Sequence, residues 1–234
     1  MSKDSSLEWV EYTRVNAEVT KAKERVVTEF GLSISVNGRH LATPMITPMM
    51  EREFVVGYLF GQGIIEGTAD IEAITLKGDK AEVSLSKKAG GAKKPAKIGF
   101  DFKVSREDIF KGVSAILKSD IYAETGGIHS AGLFKKGTEP LCIAEDIGRH
   151  NALDKIIGYG LLNNVDFAST FAASTGRQPA EMILRYRNTN IPIIATKGVP
   201  TSLAINIAAS AGITIAGMVR GNTMIVYSNP SRIV

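Results

Sequence analysis

"TFAASTGRQPAEMILRYRN", residues 170–188, and "IPIIATKGVPTSLAINIAASAG", residues 191–212, decide the fold class. Each opens with a short apolar run. Each then passes through a polar loop holding one glycine and one basic residue, and continues into a helical pattern. Strand, loop and helix repeated in this order give parallel strands joined by crossover helices, an α/β layer fold. Pro179 and Pro200 stand where a first helical position is expected, a place where proline's missing N–H is harmless. Residues 201–211 are apolar nearly all round, which predicts a deeply buried helix. A closing pair of strands, "ITIAGMV" (213–219) and "TMIVYS" (223–228), completes the sheet.

Upstream, "GIHSAGLFKKGTEPLCIAED" (127–146) reads as a hairpin turned at Lys136-Gly137. "SREDIFKGVSAILKSD" (105–120) opens with a capping-box pattern from Ser105 to Asp108. Ile109, Phe110, Val113, Ile116 and Leu117 then share one helical face, and a short strand is expected before the hairpin. "LSISVNGRHLA" (32–42) carries Asn37-Gly38 between alternating runs, a hairpin signal. "TPMMEREFVVGYLFGQGII" (47–65) predicts a helix with Thr47 as N-cap, Pro48 in the first position and Phe54, Val55, Tyr58 and Leu59 on the buried face. "IEAITLKGDKAEVSLS" (71–86) predicts a second hairpin turning at Gly78-Asp79. Residues 1–29 are charged and weakly periodic, which suggests an extended leading segment.

"KKAGGAKKPAKIG" (87–99) has five lysines, three glycines and one proline, and almost nothing to bury, so a mobile loop is expected. The change of style after it divides the chain into a smaller α+β unit, residues 1–103, and an α/β unit, residues 104–234.

The 234 residues are 44% hydrophobic and 22% charged, with a net charge of +4. That charge is too small to argue for nucleic acid, but it favours an anionic partner. No run of about 18 apolar residues is present, so no membrane span is expected, and the N-terminus lacks a secretory pattern. A cytoplasmic protein fits. The single cysteine, Cys142, excludes an intrachain disulfide and a cysteine-based zinc cage. No metal site is expected. Cys142 lies among Leu141, Ile143 and Ala144, where a buried thiol with a raised pKa is expected.

Three strands end in loops that run straight into helices: "EDIGRH", "STGRQP" and "TKGVPT". They carry Gly148 with Arg149, Gly176 with Arg177, and Gly198 with Lys197. Arg220 lies in the turn between the last two strands. Ligands of open α/β sheets bind beyond the carboxyl ends of the strands, and helix N-termini favour phosphate. Glycines there permit close backbone approach. The repetition points to a polyanionic ligand. His150 and Asn151 follow Arg149, and His129 follows two glycines, which suggests backbone close to a ligand. His40 reads as a surface residue. Glu145 and Asp146 fit three roles: Mg²⁺ ligands, an acid–base pair, or a clamp on Arg149 and Lys155.

"EDIGRHNALDKIIG" (145–158) resembles the signature of the FdhD family, accessory sulfurtransferases of formate dehydrogenase. The resemblance extends through "NGRHLATPMITPMMEREFVVGYLFGQGIIEGTADI", "TGGIHSAGLF", "STGRQPAEM", "VPTSLAI" and "AGMVRGNTMIVYSNPSRI", in order and with fitting spacing. It implies a cytidine-deaminase-like three-layer α/β/α C-terminal domain beside a smaller α+β N-terminal domain, and a homodimer. It implies a relay of sulfur from a cysteine desulfurase to the molybdenum bis-pterin guanine dinucleotide cofactor of formate dehydrogenase. The family's cofactor-binding segment matches Met218, Val219, Arg220, Gly221, Asn222 and Thr223. Arg149, His150, Asn151, Gly176, Arg177, Lys197 and His129 join the expected cofactor site. The family usually carries a Cys-x-x-Cys motif on the loop between its domains, one cysteine holding the persulfide. The corresponding loop here is the lysine-rich one, without cysteine. The zinc ligands of the deaminases are also missing.

Overall fold

The computed structural model describes residues 6–86, 97–99, 101–137 and 139–234. Most of the lysine-rich segment expected to be mobile, residues 87–96, lies outside them. The chain starts with an antiparallel hairpin, β1 (Leu7–Val15) and β2 (Val19–Val27), where only an extended leading segment was expected. Both faces of this ribbon are largely exposed, so little apolar alternation marked it in the sequence. Short strands β3 (Phe30–Gly31), β4 (Ser33–Val36), β5 (Arg39–Ala42) and β6 (Met45–Ile46) follow, then helix α1 (Glu51–Gly61) and strands β7 (Ile71–Lys77) and β8 (Lys80–Leu85). Both predicted hairpins form, with Asn37 and Gly38 at φ 49° and 74° in the first turn. The resulting sheet has the order β5-β4-β8-β7, and α1 covers it through Phe54, Val55 and Leu59. Thr47 does not cap α1. Met50 holds that place in a left-handed conformation, φ 56°, and Thr47 is drawn into another network described below.

Helix α2 (Arg106–Ile116) begins as predicted, with the Ser105 hydroxyl accepting the Asp108 N–H at 3.1 Å. Where a strand was expected, helix α3 (Asp120–Thr125) forms, because the Ser119 hydroxyl accepts the Tyr122 N–H at 2.9 Å. Then come β9 (His129–Phe134), β10 (Pro140–Asp146), α4 (Arg149–Leu162), β11 (Phe171–Ser174), α5 (Ala180–Thr189), β12 (Ile193–Thr196), α6 (Ser202–Ala211), β13 (Thr214–Arg220) and β14 (Thr223–Ser228). They build one sheet in the order β10-β9-β11-β12-β13-β14, parallel across β11, β12 and β13. Alternate residues feed two cores. Ala172, Ile194 and Ile215 face the side of α4, α5 and α6; Phe171, Ile193 and Ala216 face the side of α2. Helices therefore cover both faces of the sheet.

Helix α6 corrects its prediction. Only Ala204, Ala208 and Ala211 are buried, and Leu203 is 58% exposed. It is an outer-layer helix lying on the sheet through its smallest side chains, so apolar composition misstates its depth. Pro179 is the N-cap of α5 and Pro200 precedes the Thr201 N-cap of α6, each just short of the helical position expected.

Two devices join α1 to the larger sheet. At the crossing of α1 with α4, a Cβ on Gly57 would collide with the carbonyl of Asp154, and one on Gly158 with the carbonyl of Glu53. The two backbones are in contact because both residues are glycine. Near this crossing, the buried Asp154 carboxylate accepts Arg185 Nε at 2.9 Å. The second device is ionic. Asp146 and Lys155 are both fully buried, with Nζ 2.7 Å from Oδ2. Asp146 also accepts the N–H groups of Thr47 (3.1 Å) and Gly148 (2.9 Å) and Asn151 Nδ2 (2.8 Å). Lys155 also donates to the carbonyls of Thr47 (3.2 Å) and Glu145 (3.0 Å). The Thr47 hydroxyl accepts the Ile147 N–H at 3.1 Å, and Asn151 donates to the Met45 carbonyl at 2.8 Å. Of the three roles open to the acidic pair, Asp146 takes the clamp, and it clamps Lys155 rather than Arg149.

Removing one partner of a buried ion pair strands the other's charge, which costs about 3–5 kcal/mol. Lys155→Met should lose about that much stability in urea unfolding. Adding Asp146→Asn in the same chain should recover part of it. A Lys155→Met variant as stable as the parent would show that the pair is dispensable.

Candidate functional site

The four strand-end loops lie side by side, and their glycines explain how. A Cβ at Gly176 would lie 2.8 Å from Arg149 Cβ, and one at Gly198 would lie 2.6 Å from the Gly176 carbonyl oxygen. A Cβ at Gly217 would lie 2.8 Å from the Tyr227 ring and 3.3 Å from the Gly198 oxygen. The closest approach of Gly176 and Gly198 is loop against loop, where the sequence pointed to loop against ligand. Hydrogen bonds continue the sheet past the strands: Lys197 N–H to Ser174 O (3.0 Å), Gln178 N–H to Val199 O (2.9 Å) and Met218 N–H to Gly198 O (2.8 Å). The Thr196 hydroxyl donates to Gly176 O at 2.7 Å.

This shelf floors a cavity of about 530 Å³ on the α2 side of the sheet. Ile147, His129, Ser130, Thr175, Lys197, Gly198 and Arg220 come from strand ends and loops; Ile116, Leu117, Ser119, Tyr122, Gly126, Gly127 and Ile128 form the wall around α2 and α3. A second cavity of about 530 Å³ adjoins it. Leu117, Lys197 and Arg220 line both, and Phe110, Lys111, Val113, Ser114, Val219, Gly221 and Asn222 complete the second. The two form one groove with a pair of cations at its waist.

The β13–β14 ladder brings Arg220 to that waist. Its register shifts between Gly217 and Arg220, where Met218 takes φ 51°. Left-handed backbone at a non-glycine residue costs roughly 1–3 kcal/mol and tends to mark functional segments. Gly221, at φ 52°, then closes the turn, and the Thr223 hydroxyl donates to Arg220 O at 3.0 Å.

The structure divides the predicted site residues. His129, Lys197 and Arg220 line the first cavity, and Val219, Arg220, Gly221 and Asn222 the second. Asn151 is occupied in the Asp146 network. His150 turns toward α5, with Nε2 3.6 Å from Glu181 Oε2; burial, Arg185 and Arg149 hold its pKa below the usual value. Arg149 packs its aliphatic stem beneath Gly176, and its buried Nε has no hydrogen-bond partner among the described residues. Arg177 is exposed beside the shelf, near enough to act on His129. His40 is exposed, as expected. Among the described residues, Arg149, Arg177, Lys197 and Arg220 are not ion-paired to any carboxylate. No group of three metal-ligating side chains occurs among them either.

Sequence reasoning missed Thr175, Ser130 and Tyr122. Thr175 stood in plain view at the end of "TFAAST", whereas Tyr122 lay in a segment taken for a strand. Cys142 sits in the core under α4, only 9% exposed. Burial, with a smaller push from Glu53, raises its thiol to about 12.

The chain matches the FdhD/NarQ family over residues 27–98 and 91–234. It is 31% identical over 244 residues to the sulfur carrier protein FdhD of Methanothermobacter thermautotrophicus, covering 96% of this chain and 98% of the relative. It is 32% identical over 249 residues to that of Geobacillus kaustophilus, covering 94% of each. Its fold matches the crystal structure of a Desulfotalea psychrophila protein, named as a candidate formate dehydrogenase accessory protein. The TM-score is 0.86 at 26% identity, over 97% of this chain and 99% of the other. The signature motif, the strand-end shelf and the shared fold thus have one origin: the chain belongs to the FdhD/NarQ family.

Proposed function

We propose that this protein is a formate dehydrogenase accessory factor that holds the molybdenum bis-pterin guanine dinucleotide cofactor in the two-lobed groove. One observation carries the reading: Lys197 and Arg220, free of ion pairs among the described residues, stand where the two cavities meet. A pterin guanine dinucleotide has a doubly charged pyrophosphate centre with bulky groups on either side, and a cationic waist between two lobes suits that shape. Phe110, Leu117 and Tyr122 supply apolar and aromatic surface for base or pterin rings. The cofactor is here the cargo, and this chain's part is to bind and orient it. Arg149 and Arg177 add positive field behind the shelf.

The family role adds receipt of sulfur from a cysteine desulfurase and its transfer to the cofactor. A second reading, delivery of the cofactor without sulfur transfer, is favoured by Cys142. It is the chain's one cysteine, buried in the core with a thiol raised to about 12. Thiolate, the reactive form, is scarce far below that pH. We further propose a cytoplasmic homodimer with the cytidine-deaminase-like α/β/α domain as its larger unit, residues 104–234. Exposed Leu184 (40%), Val199 (41%) and Leu203 (58%) on and beside α5 and α6 offer apolar surface for the second copy.

Guanosine diphosphate should bind measurably by calorimetry. Lys197→Ala and Arg220→Ala should each weaken it by about 1.5–3 kcal/mol, the worth of a hydrogen bond to a charged group. His40→Ala should leave binding unchanged. Failure of both guanosine diphosphate and the intact cofactor to bind would reject the site.

Cys142 should resist iodoacetamide at pH 8 in the folded protein and react once the chain is unfolded in urea. A desulfurase supplied with labelled cysteine should leave no persulfide on it. Stoichiometric label on the parent, absent from Cys142→Ser, would restore a one-cysteine sulfur carrier.

A further inference from the structure

We infer that His129 binds the anion as an imidazolium positioned by Thr175, so that the groove takes up its ligand and a proton together. This rests on the groove being the nucleotide site and adds to it a ligand-contacting residue, a positioning residue and a pH dependence.

The hydrogen bonds around His129 favour this. Nδ1 lies 3.2 Å from Thr175 Oγ1. That hydroxyl accepts the Ser130 N–H at 3.0 Å and lies 3.4 Å from the Ser130 carbonyl. An imidazolium satisfies the whole chain: Nδ1–H donates to Thr175, and Thr175 donates onward to the Ser130 carbonyl. Nε2–H is then left as a donor for a ligand in the cavity that His129 lines. Neutral imidazole protonated at Nε2 would instead accept the Thr175 hydroxyl at Nδ1, and Thr175 would lose its bond to the Ser130 carbonyl.

The surrounding charges oppose protonation until an anion arrives. Burial, then Arg149 and Arg177, lower the pKa of His129, and Asp146 raises it. Asp146 pairs with His129 across β9 and β10, but its charge is committed to Lys155. From the same strands, Glu145 approaches Ser130 Oγ at 3.4 Å and does not contact the ring. Lys197 and Arg220 add positive charge from the cavity floor, and of the titratable residues on α3, Asp120, Tyr122 and Glu124, Tyr122 lines the cavity. A phosphate among these cations reverses the local field. An opposite charge within about 4–6 Å raises a histidine pKa by roughly 1–3 units. By linkage, the group that gains the higher pKa in the complex makes binding tighter as pH falls.

The chain has three histidines, so ring-proton NMR titration of the whole protein is tractable, with His129→Gln assigning the resonance. In protein saturated with guanosine diphosphate, the His129 pKa should rise by about one unit or more over the free protein, equivalent to an approximately tenfold gain in affinity across its titration. His40 should not move. Thr175→Val should reduce the rise, and Thr175→Ser should restore it, which a merely structural role for Thr175 would not produce. If guanosine diphosphate saturates the protein while the His129 pKa stays constant or falls, the inference is wrong and the binding site stands. If neither guanosine diphosphate nor the intact cofactor binds, both are wrong.

Discussion

A carboxylate and an ammonium group removed from water must find each other and satisfy their remaining hydrogen bonds, and Asp146 with Lys155 do so at the centre of this fold. Their partners come from three places: the chain before α1, the end of β10 and the first turns of α4. The pair's bonds tie those three segments to one another. The pair therefore fixes where α4 starts, and Arg149 at that start sets the room left for Gly176. Gly176 in turn admits Gly198, and Gly198 O receives Met218 N–H. The constraint passes from loop to loop until it reaches the bulge that carries Arg220.

This answers why the signature is so polar. Most of it holds the shelf in place, and the groups that line the groove come from elsewhere: His129 on β9, Thr175 after β11, Lys197 after β12, Arg220 at the end of β13. Residues that look like a catalytic cluster in one dimension are a buried scaffold in three. The groove faces α2, whereas the N-termini of α4, α5 and α6 belong to the layer on the opposite face of the sheet.

Periodic segments were legible because one interaction dominates each. Ser105 caps α2, Asn37-Gly38 turns a hairpin, and the strand–loop–helix repeats give the parallel sheet. The misplaced elements lacked such contrast. Helix α6 buries only alanines and leaves Leu203 out, so its composition overstates its depth. The β1–β2 ribbon has no strongly buried face, and α3 is too short for its period to register. The cations were visible at the strand ends, and Lys197 and Arg220 line the groove. The fates of Thr47 and Asn151 could not be read locally, because their partners lie about a hundred residues away in the chain: 99 residues for Thr47 with Asp146, 106 for Asn151 with Met45.

The central claim is one of place: the diphosphate lies between Lys197 and Arg220, on the α2 side of the strand ends. A crystal structure of the protein with guanosine diphosphate tests it most directly. The account predicts phosphate oxygens within hydrogen-bond reach of both side chains, with the base in one of the two lobes. Guanosine diphosphate bound instead at the N-termini of α4, α5 or α6, with Lys197 and Arg220 left in solvent, would contradict it.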